Sequence, residues 1–156
     1  MTHPGVERVE TQLRALGVSG EVRWLDDSAP TAVAAAEALG VEVGAIANSL
    51  VFTLDGAALL VMTSGSHRVD TGWLGDQLGG VIKRADADLV KRATGQTIGG
   101  VAPIGHPAPL RTIVDAQLAS YPQLWAAAGH AHTVFPLSFD ELVRITNGDV
   151  RAVVPL

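Results

Sequence analysis

Residues 46–54 (IANSLVFTL) and 57–63 (AALLVMT) are two apolar runs joined by the dipeptide Asp55-Gly56. Both turn residues tolerate positive φ, which the two-residue connection between antiparallel strands requires, so the pair predicts a β-hairpin. A hairpin fixes two neighbouring strands, and every other element must be arranged about them.

Val6, Val9, Leu13 and Leu16 recur at helical spacing, with Thr2 as a cap ahead of Pro4 and Gly17 as the stop. They predict an opening helix over 2–16, peripheral to the rest. Residues 21–25 read as a short strand. Ser28 or Pro30 starts a second helix through 31–39, which Gly40 ends. Residues 71–78 and 86–93 read as short helices flanking a strand near Val81 and Ile82. Residues 111–115 (RTIVD) and 133–137 (TVFPL) read as strands, while 118–128 carry no decisive period. Ser138 and Glu141 form a capping box for a helix to Thr146, and 150–154 offer a last strand. Hairpin and short helices, with no repeat or linker, predict one α/β domain over 1–156, a mixed sheet surrounded by short helices.

Eleven basic against sixteen acidic residues give a net charge of −5, which argues against a chain that coats DNA through bulk electrostatics. Five of the eleven basic residues, Arg68, Lys83, Arg84, Lys91 and Arg92, nevertheless fall close together, as a solvated helix face or as a face for a phosphate backbone. The chain has no cysteine, which excludes disulfides, thiolate metal sites and a cysteine nucleophile. No apolar run approaches the roughly 20 residues of a membrane helix, and the first ten residues lack a signal-peptide core. A cytoplasmic location without membrane association is expected.

Residues 95–106 (GQTIGGVAPIGH) concentrate four glycines and a proline in the spacing Gly95-x3-Gly99-x3-Pro103-x-Gly105. Glycine permits close approach of main-chain amides to a ligand, and proline fixes one φ. The loop has neither the Lys-Ser/Thr ending of a phosphate loop nor the order of a dinucleotide fingerprint, so it predicts presented N–H groups of another kind, or a turn-rich crossover.

Among side chains, His130-x-His132 on a strand would turn both rings to one face, where a third ligand could complete a zinc site, although no H-x-x-x-H helix pair or nearby carboxylate cluster supports it. A Ser/His/Asp triad can be drawn from Ser64 or Ser66, His67 or His106, and Asp70 or Asp115, but no G-x-S-x-G elbow accompanies it. Asp115 ends an apolar strand, either as an ordinary cap or as part of a site. Ser64-Gly65-Ser66-His67-Arg68 follows the second hairpin strand as a pocket rim or a turn.

The segments AAEALGVEVGAIANSLVF (35–52), TSGSHRVD (63–70), the glycine loop, TIVDA (112–116) and AAAGHAHTVFPL (126–137) together resemble the YbaK-like aminoacyl-tRNA deacylases, relatives of the editing insertion of bacterial prolyl-tRNA synthetases. The resemblance covers about residues 20–148 in order. It implies a mixed α/β editing domain that hydrolyses the ester between a small wrong amino acid and the tRNA 3′ end, without metal, cofactor or covalent nucleophile. It also implies the acceptor end of tRNA as partner, with help from prolyl-tRNA synthetase or an elongation factor.

Carried onto this chain, the resemblance makes amides around Gly99, Gly100, Ile104 and Gly105 the carbonyl and oxyanion donors. Asn48 and Ser49 would position the substrate, and Ser64, Gly65, Ser66, His67, Arg68, Pro103, His106, Asp115, Gly129 and His130 would line the pocket. One departure stands out: the family motif carries lysine where this chain has Asn48. A neutral hydrogen bond is worth about 1 to 2 kcal/mol less than a charged one, a rate loss of roughly 5- to 30-fold if it acts only in the transition state. The alternative is a weakened member that binds an aminoacyl-adenosine or a tRNA end without efficient turnover. Arg68, His67 or His130 would be the sources of a replacement charge. A family serine is replaced by Ala127 or Ala128.

Overall fold

The computed structural model describes residues 3–29 and 31–155. The proposed caps Thr2 and Pro30 lie outside them. Helix α1 (Pro4–Ala15) instead starts at His3, whose imidazole accepts the Val6 N–H at 3.2 Å. Helix α2 (Ala32–Leu39) starts not at Ser28 but at Thr31, whose hydroxyl accepts from Ala34 N, and Gly40 closes it at φ +67°.

The hairpin forms as its turn chemistry demands. Strands β2 (Ala47–Leu54) and β3 (Ala57–Ser64) pair antiparallel from Ala47 opposite Ser64 to Leu54 opposite Ala57. Asp55 and Gly56 take φ of +49° and +87° between them. The chain then continues through α3 (Thr71–Leu78), β4 (Ile82–Arg84), α4 (Ala87–Thr94) and β5 (Arg111–Asp115). Strands β6 (Leu124–Ala127) and β7 (Thr133–Leu137), helix α5 (Phe139–Thr146) and strand β8 (Asp149–Arg151) complete it.

Five strands form one mixed sheet in the order β4-β2-β3-β5-β8, with β5 parallel to both its neighbours. A second, antiparallel sheet of order β1-β7-β6, where β1 is Arg23–Trp24, adjoins it through a bridge between Ile46 and Trp125. Strand β3 sits at the centre, and Leu59, Leu60, Val61 and Met62 are wholly buried because both faces of the sheet are covered. Leu60, Met62 and Val114 pack towards α1, Phe135 of β7 and Leu142 of α5, while Leu59, Val61 and Ile113 meet Leu74 of α3 and Val153.

Three expectations change in detail. The strand expected at 150–154 is shifted to Asp149–Arg151, since pairing to β5 and not apolar content sets its limits. Residues 118–128 divide into a 3₁₀ turn, Ala116–Ser120, and β6. The opening helix is not peripheral in its packing, because Val6, Val9 and Leu13 are almost fully buried, and Val9 and Leu13 join the main core. Each such burial is worth about 1.5–3 kcal/mol.

Candidate functional site

The glycine loop is built from its two ends. Helix α4 stops at Gly95, φ +73°, whose N–H returns to Lys91 O. Just before it, Thr94 Oγ1 donates to Val90 O at 2.6 Å and accepts from Gln96 N at 3.0 Å. Gln96, itself 4% exposed, then spans the loop: its Oε1 accepts from Ala102 N at 2.6 Å and its Nε2 donates to Ile104 O at 3.1 Å. The far end is held by α1, where Gln12 Oε1 accepts from Gly105 N at 3.1 Å.

These bonds correct part of the expected donor set. The Gly105 N–H is taken by Gln12, and the Gly100 N–H by Thr97 O at 3.2 Å. Pro103, Ile104 and Gly105 are buried at the base of the loop, where a Cβ on Gly105 would stand 3.0 Å from Val9 Cγ2. Loop closure consumes the Gly100 and Gly105 amides, and Ile104 is turned into the buried base. Gly99 and Val101 differ: both border open space, and among the described residues no acceptor engages their N–H groups.

Two cavities meet at that point. The larger, about 700 Å³, runs between β2 and α4 and carries the cations Arg68 and Arg84. The smaller, about 280 Å³, is walled by Ala32, Ala35, Ala47, Ala126 and Ala127, with Asn48 on its edge and no charged residue lining it. Ser49, Leu50, Ile98, Gly99 and Val101 border both, so the two form one cleft with a wide charged half and a narrow apolar half. Ile98 stands 61% exposed at the lip. The sequence reading missed Ile98, Val101, Arg84 and the alanine wall. Arg84 was visible only as one of a basic group, and alanines carry no chemical signal until packing places them.

The stretch after β3 has a different task. Asp115, 1% exposed, accepts from Ser64 N at 3.0 Å, Thr63 Oγ1 at 3.2 Å and Gln117 N at 3.0 Å, and lies 2.9 Å from His67 Nδ1. It is a clamp between β3 and β5 and borders neither half of the cleft. Ser64 Oγ donates to Gly44 O at 2.8 Å, and Ser66 Oγ lies 2.8 Å from Ser64 Oγ, so the His-Asp half of a triad forms without a serine on the imidazole. Gly65 is needed for packing, since a Cβ there would fall 2.4 Å from Val43 O. Of this segment's proposed pocket residues only Arg68 reaches the cleft. Of the three proposed replacement charges, therefore, Arg68 alone borders it.

His130 and His132 lie in the turn between β6 and β7, not on a strand, so strand alternation does not align them. His130 Nδ1 accepts from His132 N at 3.0 Å, and its ring lies 5.0 Å from that of His3 and 5.3 Å from those of Trp24 and His132. Burial, then the two neighbouring imidazoles, holds its pKa below the usual histidine value. The turn braces the loop: Gly129 N donates to Gly100 O at 2.8 Å. Gly129 and His130 thus act on the cleft through the loop's backbone.

His106 is a pH-sensitive part of the same brace. It lies 2.9 Å from Ala102 O through Nε2, and burial lowers its pKa despite the opposing effect of that carbonyl. Protons then bind the unfolded chain preferentially, so stability is full above the ordinary histidine pKa of about 6.5 and is lost as pH falls through the lower native value. Thermal midpoints measured from pH 8 to 5 should decline below about pH 6.5, the accompanying loss of unfolding free energy being at most about 1.4 kcal/mol per pH unit from this group. His106→Gln should lessen that decline, the remainder coming from His130, whose pKa is lowered in the same direction. An unchanged slope would show that His106 is not its source.

The chain belongs to the aminoacyl-tRNA editing domain family, whose model matches residues 26–145. A solved candidate trans-editing enzyme for prolyl tRNA synthetase superposes with a TM-score of 0.93 at 36% identity, over 100% of both chains. The hypothetical protein APE2540 gives a TM-score of 0.86 at 26% identity, over 94% of this chain and 98% of its own. Uncharacterized protein YwhH of Bacillus subtilis (strain 168) is 26% identical over 138 residues, 88% of each chain. The YbaK-like resemblance and the mixed α/β fold expected from it are thereby shown. Helix α1 precedes the span of the family model, yet Gln12 ties it to the glycine loop.

Proposed function

We propose that this protein is an aminoacyl-tRNA deacylase that removes a small wrong amino acid from tRNA, of the prolyl type by analogy with the solved trans-editing candidate. The observation that carries this reading is the divided cleft. Its apolar half, about 280 Å³ with an alanine wall, has room for a short side chain, and its wide half offers Arg68 and Arg84 to the terminal nucleotide's phosphate. The acyl carbonyl then lies between them, beside Gly99 and Val101.

Water attacks that carbonyl, the carbon–oxygen ester bond breaks, and the proton passes to the leaving ribose hydroxyl. The N–H groups of Gly99 and Val101 hold the negative oxygen that develops, a contribution of roughly 2.7–4 kcal/mol per donor in comparable sites. Asn48 and Ser49 orient the substrate from β2. No lysine borders either half of the cleft among the described residues, which favours slow turnover and keeps the weakened binder as the second reading. Prolyl-tRNA synthetase or an elongation factor would deliver the charged tRNA.

Incubation of the purified chain with tRNAs mischarged with alanine, serine, cysteine or larger residues separates the two readings. Loss of the ester from small residues is expected. Binding of charged tRNA with no loss from any of them would establish the binder. Asn48→Lys should raise the single-turnover rate about 5- to 30-fold, the value of a charged over a neutral hydrogen bond. An unchanged rate would show that the missing cation does not limit the reaction.

A further inference from the structure

The acidic chain must still hold a polyanion, and two of the basic residues outside the cleft come together in one cavity. A third cavity, about 320 Å³, opens between α1, the end of α4 and the first residues of the glycine loop. Arg8 and Lys91 line it with His3, Gln96 and Thr97, and no carboxylate does. Among the described residues neither Arg8 nor Lys91 is in an ion pair, and Lys91 Nζ reaches only Gly95 O at 3.3 Å.

Its position gives it meaning. Gly95, Gln96 and Thr97 border this cavity, whereas Ile98 and Gly99 border the cleft, so one short loop separates the two. From Gly95 to Gly99 the chain spans at most about 14 Å. At about 3.4 Å per nucleotide along one strand, that is a distance of roughly four nucleotides or fewer. Helix α4 divides its residues accordingly, Val90 towards the cleft and Lys91 towards the outer cavity.

We propose that the cavity between α1 and the glycine loop binds a backbone phosphate of the acceptor strand a few nucleotides before the terminal adenosine, through Arg8 and Lys91. The proposal rests on the deacylase reading for the direction of the strand. Arg8 and Lys91 are then positioning residues. They hold the strand while the amides beside Gly99 meet the ester, and a substrate lacking those nucleotides does not feel them.

The test compares the wild-type chain with Arg8→Gln, Lys91→Gln, the double variant and an exposed control, Arg111→Gln, on two substrates, mischarged tRNA and aminoacyl-adenosine, and on one binding ligand, an uncharged acceptor minihelix. For tRNA, KM is expected to rise in the double variant with kcat unchanged. The logarithmic salt dependence of minihelix binding should fall by about one for each substitution. Hydrolysis of aminoacyl-adenosine should not change. Equal losses with Arg111→Gln, or minihelix binding that ignores Arg8 and Lys91, would overturn the proposal. Should a variant fail to fold, wild-type salt dependence in competition with phosphate-methylated minihelices reads the same contact. A wild-type chain that hydrolyses neither ester but binds the minihelix through these residues would sink the deacylase reading and keep the phosphate site.

Discussion

Asp115→Ala is expected to destabilise the protein by about 2–5 kcal/mol, because a buried donor left without its acceptor costs about 1–3 kcal/mol and each of the carboxylate's other hydrogen bonds contributes about 1 kcal/mol. The carboxylate is 1% exposed and meets four groups, so its loss strands the Ser64 N–H and leaves the Thr63 hydroxyl only the Ser64 carbonyl at 3.3 Å. Domains of this kind have only about 5–15 kcal/mol in total, so the variant should unfold at markedly lower urea with an unchanged slope. Asp115→Asn, which keeps the shape and one acceptor, should lose less. His67→Ala should also lose less, since the His67 side chain is 27% exposed. A loss below about 1 kcal/mol in Asp115→Ala would contradict the clamp. Thr63 faces Asn48 across the hairpin, so the same change should also lower deacylation in whatever protein remains folded.

Gly100→Ala should act on function more than its size suggests. A Cβ there would stand 2.5 Å from His130 C and 2.7 Å from Ala131 N, both backbone atoms that no rotamer change can move. Overpacking of this kind costs about 1–3 kcal/mol. Relief requires the 129–131 turn to withdraw, which stretches the Gly129-to-Gly100 hydrogen bond and shifts the amides of Gly99 and Val101 at the cleft. A displacement near 1 Å at reacting atoms costs about 100-fold in rate. A loss of that order in single-turnover deacylation is expected, with a modest fall in thermal midpoint. Gly72→Ala, whose Cβ would meet nothing nearer than Asp70 Oδ1 at 3.7 Å, is the matching control and should leave the rate unchanged. Equal rates in the wild type and the Gly100 variant would separate the turn from the site.

Local chemistry made much of the fold legible. Asp55-Gly56 announced the hairpin, Gly40 and Gly95 ended their helices in left-handed caps, and Ser138 with Glu141 formed the expected capping box. Each signal acts within a few residues, where φ preferences and single hydrogen bonds dominate. The failures were longer in range. Gly105 looked free to donate because nothing nearby in sequence reveals that Gln12, 93 residues away, would accept its N–H. Asp115 does cap the turn that follows it through Gln117 N, as its place at a strand end suggested, but nothing nearby revealed that Thr63 and Ser64, more than 50 residues earlier, would bond it as well. His130 and His132 looked like strand neighbours, yet a turn holds them.

By itself, then, the order of residues determined the hairpin, the caps and an acidic cysteine-free chain, which follow from short-range sterics and composition, and it carried the motifs by which the chain resembles an editing domain. Tertiary packing alone decided which amides remain available, that seven small or polar positions from α2, β2 and β6 line one space, and that Arg8 and Lys91 line one cavity beside the loop. Those outcomes depend on contacts between distant segments, where shape and burial set which groups are already bonded and which still face solvent.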